Sequence, residues 1–544
     1  MNMTSRRVVI YEEKAEPEDS KWTQLTIDLL ADKFDKVIVI KKHISEPGKI
    51  CLPNVEIEVG SIQKFARVIL EENLDFDEIV YFNDNLIGPF DCFWNVLSKM
   101  AVSEKDAWVI RKKENADCVF DYDFIVLKKK IFSILLSNHF RLKNSQNFTI
   151  IKIDEIHKFD EQQLSIFTFV DRLLIIEKLI FLPKKYLLQD FETLYATGAI
   201  AGFGKVMDWI LVNSPRVYDC LLAESISQKN IAELYDIYHL CFSFEQLRRI
   251  KQENKKNKVA LFAHIYYREL VEVFFDRIKQ ITCDIDIYIT SSNKATLKRA
   301  EDFIELGKGK GKCRNIYLIE VPARGRDVSA LLIGLRNYYN KYEICCFVHD
   351  KKSSQVKPHE NGYFFFVRCL DNLLGSGEQI KHIINLFNNL PHLGLLVPPE
   401  PNFGHYWNIP GNEWTNNFRI TEKLKSQLKL NCIMSSDKRP LCPLGGMFWF
   451  RTTSMRKIFE FPWSTDNFYK EPMPSDGTIS HAIERIWPFV AQDSGFFSAE
   501  ICMDSYLKSD YLTNSNKLRL ANKARFLRIK TIFRKIKLHL FRWV

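Results

Sequence analysis

Apolar runs of five or six residues recur along this chain, separated by longer stretches whose apolar positions lie three and four apart. That alternation predicts strands and helices in turn. Residues 6–11 read as a strand, the segment around 25–34 as a helix and 36–42 as a second strand. A helix over about 62–72 then leads into a strand at 78–82, which ends in the polar turn Asn83-Asp84-Asn85 ahead of Gly88-Pro89. Residues 234–251 read as helical and close on the Lys-rich turn KQENKKNK. The pattern then restarts. Strands are expected at 258–263, 285–290, 315–321, 342–348 and 393–397, with helices at 267–277, 295–306, 328–338 and 378–387. Such a β-α order with short connections predicts parallel, Rossmann-like α/β domains. We expect four parts: an α/β domain over 1–190, a helical connector over 191–256, a second α/β domain over 257–510, and a tail over 511–544. Both halves put a polar stretch after an apolar strand, YFNDN and FVHDK. This fits either a duplication or two unrelated domains.

At 544 residues and 46% hydrophobic, the chain has material for more than one core and is not a disordered sequence. The formal charge of +10 is unevenly placed. From Lys517 to Val544 stand Lys517, Arg519, Lys523, Arg525, Arg528, Lys530, Arg534, Lys535, Lys537 and Arg542, with no acidic residue among them, so the rest of the chain is balanced. Phe526, Ile529, Phe533, Ile536 and Leu540 recur on one helical stripe within that basic segment, and Trp543 suits an interfacial depth. The tail therefore reads as a basic amphipathic helix resting on an anionic membrane surface, or as an ordinary helix packed on the body. A nucleic-acid partner is disfavoured by the neutral body and by the lack of a compact binding motif. Thirteen scattered cysteines without a CxxC pair, and no apolar leader ahead of Val8, point to a reducing, cytoplasmic setting. No run reaches the 18 apolar residues of a membrane span.

Four segments carry candidate chemistry. In Ala323-Arg324-Gly325-Arg326-Asp327, two guanidinium forks around a flexible glycine suit a diphosphate, while Asp327 also suits a helix N-cap. In His349-Asp350-Lys351-Lys352, at a strand end, Asp350 suits a sugar or ribose hydroxyl or a metal, and the lysines suit a leaving diphosphate. Gly445 and Gly446 before an aromatic strand permit close approach, and Trp449 is either a sugar-stacking surface or core. His405 sits in an irregular stretch after Pro398-Pro399 that reads as a loop beside a site. In Asp476-Gly477-Thr478-Ile479-Ser480-His481-Ala482-Ile483-Glu484-Arg485, His481 and Arg485 share a helix face beside Glu484. Asp476 is the first choice for a general base and Glu484 the second. A lone Asp350 is poor provision for a divalent ion, so no cofactor is assigned and a metal is not expected to be essential.

Taken together, LFAHIYY, ARGRD, HDKKS, GGMFWFR and DGTISHAIER resemble, in this order, the signature of the rhamnan synthesis protein F family of polysaccharide-building glycosyltransferases. YFNDNLIGPF resembles the family's amino-terminal element. The resemblance implies a GT-A-like second domain that moves a deoxyhexose, typically L-rhamnose, from a dTDP-sugar to a growing lipid-linked glycan at the inner face of the membrane. Catalysis would fall to Asp476, Glu484 and His481, and donor binding to Arg324, Gly325, Arg326, Asp327, His349, Asp350, Lys351, Lys352 and Arg485. Sugar or acceptor contacts would fall to Gly445, Gly446, Trp449 and His405. Ala323 and Asp350 depart from the family's usual Asn and Thr. The first half then reads as a second transferase or an inactive acceptor-binding partner. The competing function is a glycan-binding or assembly protein without turnover.

Overall fold

A computed structural model of the chain describes residues 6–13, 21–31, 34–41, 55–59, 76–84, 86–87, 97, 107–109, 124–130, 150–152, 182–183, 200–307, 315–352, 360–404, 406 and 409–540. It divides into two compact units, Met1–Glu224 and Ser225–Val544. In chain order the strands are β1 (Arg7–Glu13), β2 (Lys36–Lys41), β3 (Val55–Val59), β4 (Glu78–Asn83), β5 (Leu86–Ile87), β6 (Ala107–Val109), β7 (Phe124–Lys128), β8 (Ile150–Lys152) and β9 (Leu182–Pro183) in the first unit. The second unit holds β10 (Cys241–Ser243), β11 (Val259–His264), β12 (Ile285–Ser291), β13 (Ile316–Glu320), β14 (Ile344–His349), β15 (Leu393–Val397), β16 (Phe448–Arg451) and β17 (Phe497–Cys502).

The main sheet of the second unit runs β13-β12-β11-β14-β16-β15-β17-β10. Its strands are parallel except β16, which lies antiparallel between β14 and β15. β11 and β14 are buried at every position. Strands covered on both faces read as unbroken apolar runs, which is why they stand out in the sequence. The helix Val271–Ile278 buries Val271, Phe274, Phe275 and Ile278, one stripe at helical spacing. Phe262, Phe347, Phe448, Phe450, Phe459 and Trp487 belong to one continuous core. Each such ring contributes roughly 1.5–3 kcal/mol by leaving water.

The sheet of the first unit runs β3-β2-β1-β4-β7-β6-β8, with β7 antiparallel between β4 and β6. This is the same path as β13-β12-β11-β14-β16-β15-β17, and the registers agree as well. Arg7 pairs with Glu78 as Val259 pairs with Ile344, and Glu78 pairs with Lys128 as Ile344 pairs with Arg451. Ala107 pairs with both Leu127 and Ile150, as Leu395 pairs with both Phe450 and Ser498. The chain therefore holds two α/β units of one topology.

Two local expectations differ from the structure. The stretch 234–251 is not one helix, because the helix Ile231–Tyr238 stops at His239 in the left-handed region and strand β10 intervenes before the helix Phe244–Arg249. The helix expected at 328–338 is a short turn, Arg326–Ser329, running into a wide turn, Ala330–Gly334. The expected helix at 62–72 lies outside the described residues. At the other end, one helix spans Asp504–Leu540. Its side chains from 511 to 523 are largely exposed, Tyr511, Leu512, Leu518 and Leu520 among them. The side chains of the apolar stripe from Phe526 to Leu540 lie outside the description. Among the described residues no helix is long and apolar enough to cross a membrane.

Candidate functional site

The site is founded on the carboxyl ends of β11 and β14, where His264 and His349 are register partners. The chain leaves β14 at Asp350, whose main-chain N–H donates to the His264 carbonyl at 3.1 Å. Its carboxylate Oδ2 accepts the main-chain N–H groups of Tyr266, at 2.9 Å, and Tyr267, at 2.6 Å. Burial pushes the Asp350 carboxyl up to about 6, against the opposing pull of those two donors and His349. Beside it, His349 Nδ1 meets the Asp350 carbonyl at 2.8 Å and Nε2 meets the Gly445 carbonyl, with Asp327 Oδ2 3.5 Å from Nε2. Every one of these neighbours is an acceptor. His264 faces a hydroxyl instead. Its Nδ1 lies 3.0 Å from the Thr290 hydroxyl, and burial lowers its pKa to about 4, so the ring is neutral.

The two glycines before β16 are required by this crowding. Gly446 has φ +75°, and a Cβ there would lie 3.1 Å from both Asp327 Oδ2 and His349 Nε2. Gly445 has φ +93°, and its Cβ would fall 2.6 Å from the Phe365 ring. Both conformations favour glycine on backbone grounds alone. Trp449, by contrast, is fully buried and donates Nε1–H to the Leu373 carbonyl at 3.0 Å. It faces the core because β16 is a central strand covered on both sides, so it is not a sugar-stacking surface. His405 lies outside the described residues.

The arginine loop is anchored to another loop. Gly325 and Arg326 both adopt positive φ, +88° and +51°. Arg324 donates to Asp466 at 2.7 Å and to the Phe468 carbonyl at 2.8 Å. Arg326 makes a two-pronged pair with Glu471, at 2.7 and 2.8 Å. A phosphate at this loop would therefore compete with two carboxylates for the same forks. Lys351 lies over the Phe365 ring, and Lys352 lies over Tyr267 while bonding Glu269.

The far wall is the helix Ile479–Asp493, capped by Thr478, whose hydroxyl is 2.8 Å from His481 Nδ1. Burial lowers the His481 pKa. Arg485 is almost fully buried and donates to Glu484 at 2.7 Å, to the His481 carbonyl at 3.0 Å and to the Glu413 carbonyl at 3.0 Å. The other oxygen of Glu484 accepts the Gly445 N–H, which ties this helix to the floor. Asp476 precedes the helix, half-buried, and accepts from Asn417 Nδ2 at 2.5 Å and the Asn416 N–H at 3.4 Å. Partial burial acts to raise its pKa, but the hydrogen bonds outweigh it and hold the group below the usual carboxylate range. Thus Asp327, His349, Asp350, Gly445, Gly446, Glu484 and Arg485 form one connected set. Asp476 and His481 stand at its edge.

Sequence reasoning missed His264 as a site member and a second buried group altogether. Arg439 bonds Glu400 at 3.1 Å, lies 3.8 Å from Glu500 and covers the Tyr235 ring, whose hydroxyl donates to Glu500 at 2.6 Å. Burial, then the charges of Glu413 and Glu500, push Glu400 up to about 8. These residues are scattered singly from 235 to 500, with no spacing that marks them. Among the described residues no group of three or more His, Cys, Asp or Glu could hold a metal ion.

Comparison with known proteins supplies three findings. Residues 226–496 match the family described as rhamnan synthesis protein F. A protein of Xanthomonas campestris pv. campestris strain B100, the uncharacterised WxcX, is 24% identical over 233 residues, covering 43% of this chain and only 31% of that protein. Among solved structures, the glycosyltransferase GlyE of Streptococcus pneumoniae TIGR4 is 11% identical, with a TM-score of 0.23, over 67% of this chain and 90% of its own. Residues 1–349 of S. aureus TarS are 10% identical, with a TM-score of 0.24, over 45% and 58%.

Proposed function

Because residues 226–496 belong to the rhamnan synthesis protein F family, we propose that this chain is a glycosyltransferase of polysaccharide assembly, moving L-rhamnose from dTDP-rhamnose to a lipid-linked cell-surface glycan. The observation that carries this reading is the buried Asp350 carboxylate held by two main-chain N–H groups at a strand end, with Lys351 and Lys352 directly after it. A fixed carboxylate there receives a donor hydroxyl, and the lysines offset the charge of the departing diphosphate. In the transfer step the acceptor oxygen bonds to the anomeric carbon as the bond from that carbon to the diphosphate breaks, its electron pair leaving with the phosphate. Asp476 takes the acceptor proton. Its lowered pKa keeps it ionised, and so able to accept, across the neutral range.

The test is a panel of nucleotide sugars offered with a lipid-linked acceptor, with product linkage as the readout. Asp476→Asn should lower kcat by about 10²–10⁴-fold with an unchanged melting curve. Near-normal turnover in that variant removes Asp476 as the base. Activity should also survive a chelator, since the lysines serve the phosphates directly. Full loss restored by manganese recasts Asp350 as a metal ligand.

The acceptor also places the enzyme at the inner face of the membrane, held there peripherally. The helix Asp504–Leu540 offers exposed Leu518 and Leu520 within the strongly basic segment, and exposed Tyr511 and Leu512 just ahead of it. Each Lys or Arg near an anionic leaflet contributes about 1 kcal/mol, so a few engaged together give reversible binding. Truncation after Asn516 should move the protein to the soluble fraction and lower activity on a membrane-borne acceptor, while sparing a short soluble one. A truncated protein that still sediments with vesicles places the anchor elsewhere.

A further inference from the structure

The stretch that leads from β15 into the helix Phe418–Gln427 ends in Glu413-Trp414-Thr415-Asn416-Asn417. Its Glu413 carbonyl takes a bond from Arg485, and Thr415, at φ +46°, brings its hydroxyl to 3.5 Å from a second Arg485 nitrogen. Trp414 seals the turn: it is buried, stacks on Phe489 and donates Nε1–H to the Lys438 carbonyl at 2.7 Å. Asn417 then occupies the N-cap position of the helix, where an asparagine ordinarily turns its side-chain oxygen onto the free N–H groups of its own first turn. It makes no such bond. Its side chain is fully enclosed and is directed at another segment.

That segment is Asp476-Gly477. Asn417 Nδ2 donates to Asp476 Oδ1 at 2.5 Å and to the Thr415 hydroxyl at 2.7 Å, while Asn417 Oδ1 accepts the Gly477 N–H at 3.1 Å. A carboxylate needs a donor and an N–H needs an acceptor, so only this orientation of the amide satisfies both. The main chain of Asn417 is held as firmly. Its N–H donates to the Trp414 carbonyl at 2.8 Å, and its carbonyl accepts the Thr421 N–H at 2.9 Å and the Thr421 hydroxyl at 2.8 Å. Partial burial acts to raise the Asp476 pKa, and the Asn417 bond comes first among those that pull it down, ahead of Gly477, Thr415 and Asn416. Among the described residues, the titratable and charged side chains that feel this carboxylate are His481 and Arg485, both on the helix that follows.

We infer that Asn417 is the positioning residue of the base: it forgoes capping its own helix to fix the Asp476 carboxylate and the turn behind it, and through Thr415 and Arg485 it ties that carboxylate to the donor-side set. The inference rests on the transferase reading, in which Asp476 takes the acceptor proton. Asn417 is enclosed, so it acts on the reaction through Asp476.

A double-variant cycle on the full chain tests it, with dTDP-rhamnose and a lipid-linked acceptor as substrates. Asn417→Leu, close in volume and without polar atoms, should lower kcat by about 10²-fold while KM stays within about twofold. In the Asp476→Asn background the same change should cost nothing further, because the group it acts through is already gone. The acid limb of the kcat/KM profile should move up by about one pH unit in Asn417→Leu, since burial of Asp476 is then less opposed. Asn417→Ser, which keeps a hydroxyl in the enclosure, serves the same cycle if the leucine variant does not fold. Near-normal kcat, losses that multiply in the double variant, or a drop in kcat with an unmoved acid limb overturns the inference and leaves the transferase reading intact. An Asp476→Asn protein with near-normal turnover removes the base and this inference together, and a parent chain that transfers no sugar from any nucleotide sugar overturns the transferase reading itself.

Discussion

Replacement of Asp350 by asparagine should silence sugar transfer and at the same time raise the melting temperature above pH 6. The Asp350 side chain bonds both the Tyr266 and the Tyr267 N–H through one oxygen, a duty that an amide oxygen can take over. What the amide lacks is the charge that burial penalises. Burial raises the carboxyl from its ordinary 3.8 to about 6, so the folded state binds more protons than the unfolded state between those values. Stability of the parent therefore falls as pH rises from about 4 through 6, and the amide variant escapes that loss. The gain should be on the order of 1–3 kcal/mol above pH 6 and should vanish below pH 4. Melting curves of both proteins from pH 4 to 8, with transfer assayed on the same samples, provide the check. A variant equally destabilised at every pH would show that Asp350 is a structural acid and not a functional group kept at a cost to stability.

Arg485→Met should be the most damaging single change to the folded second unit. Its guanidinium is enclosed, and it closes three elements on one another: the helix Ile479–Asp493, the Glu413 loop and, through Glu484, the glycine turn before β16. Removing it leaves Glu484 as an uncompensated, largely enclosed charge and orphans the Glu413 carbonyl. Breaking a buried pair in this way costs about 3–5 kcal/mol. Chemical denaturation should show a loss of that size. Glu484→Gln together with Arg485→Met should recover part of it, because the stranded charge is gone. If the double variant is no more stable than the single one, the cost lies in lost packing and not in the pair.

Much of the second unit was legible because parallel strands covered on both faces are unbroken apolar runs, as in β11, β14 and β15. The same burial misleads at β16, where glycines followed by aromatics look like a ligand surface although Trp449 is sealed in the core. Asp350, Gly446 and Arg485 could be picked out because local chemistry marks them: an acid at a strand end, paired glycines, a charge on an apolar helix face. The partners of Arg324 and Arg326 stand 142 and 145 residues away, and no local pattern announces Asp466 or Glu471. Glu400, Glu413, Arg439 and Glu500 escape for the same reason. Their character comes from shared burial, which sequence spacing does not encode. The topology common to the two units shows in the sequence only as YFNDN and FVHDK, because register is held by main-chain bonds that accept almost any side chain.

The root of the last helix is fastened with unusual care. Arg368 makes a two-pronged, nearly enclosed pair with Asp510 and lies over the Tyr506 ring. Tyr506 bonds Asp371 at 2.7 Å, and the Met503 N–H bonds Asn372 at 2.8 Å. From this footing the helix continues without interruption to Leu540, 37 residues in all, or about 55 Å of stiff rod. A rod clamped at one end works as a strut. Any surface that grips its basic far end fixes a standing height for the second unit, and with it how far a chain growing from that surface must extend before its tip comes within reach. On the proposed reading, in which that surface is a membrane carrying the glycan acceptor, shortening the strut by whole turns should alter the length distribution of the glycan while leaving the rate of each addition untouched.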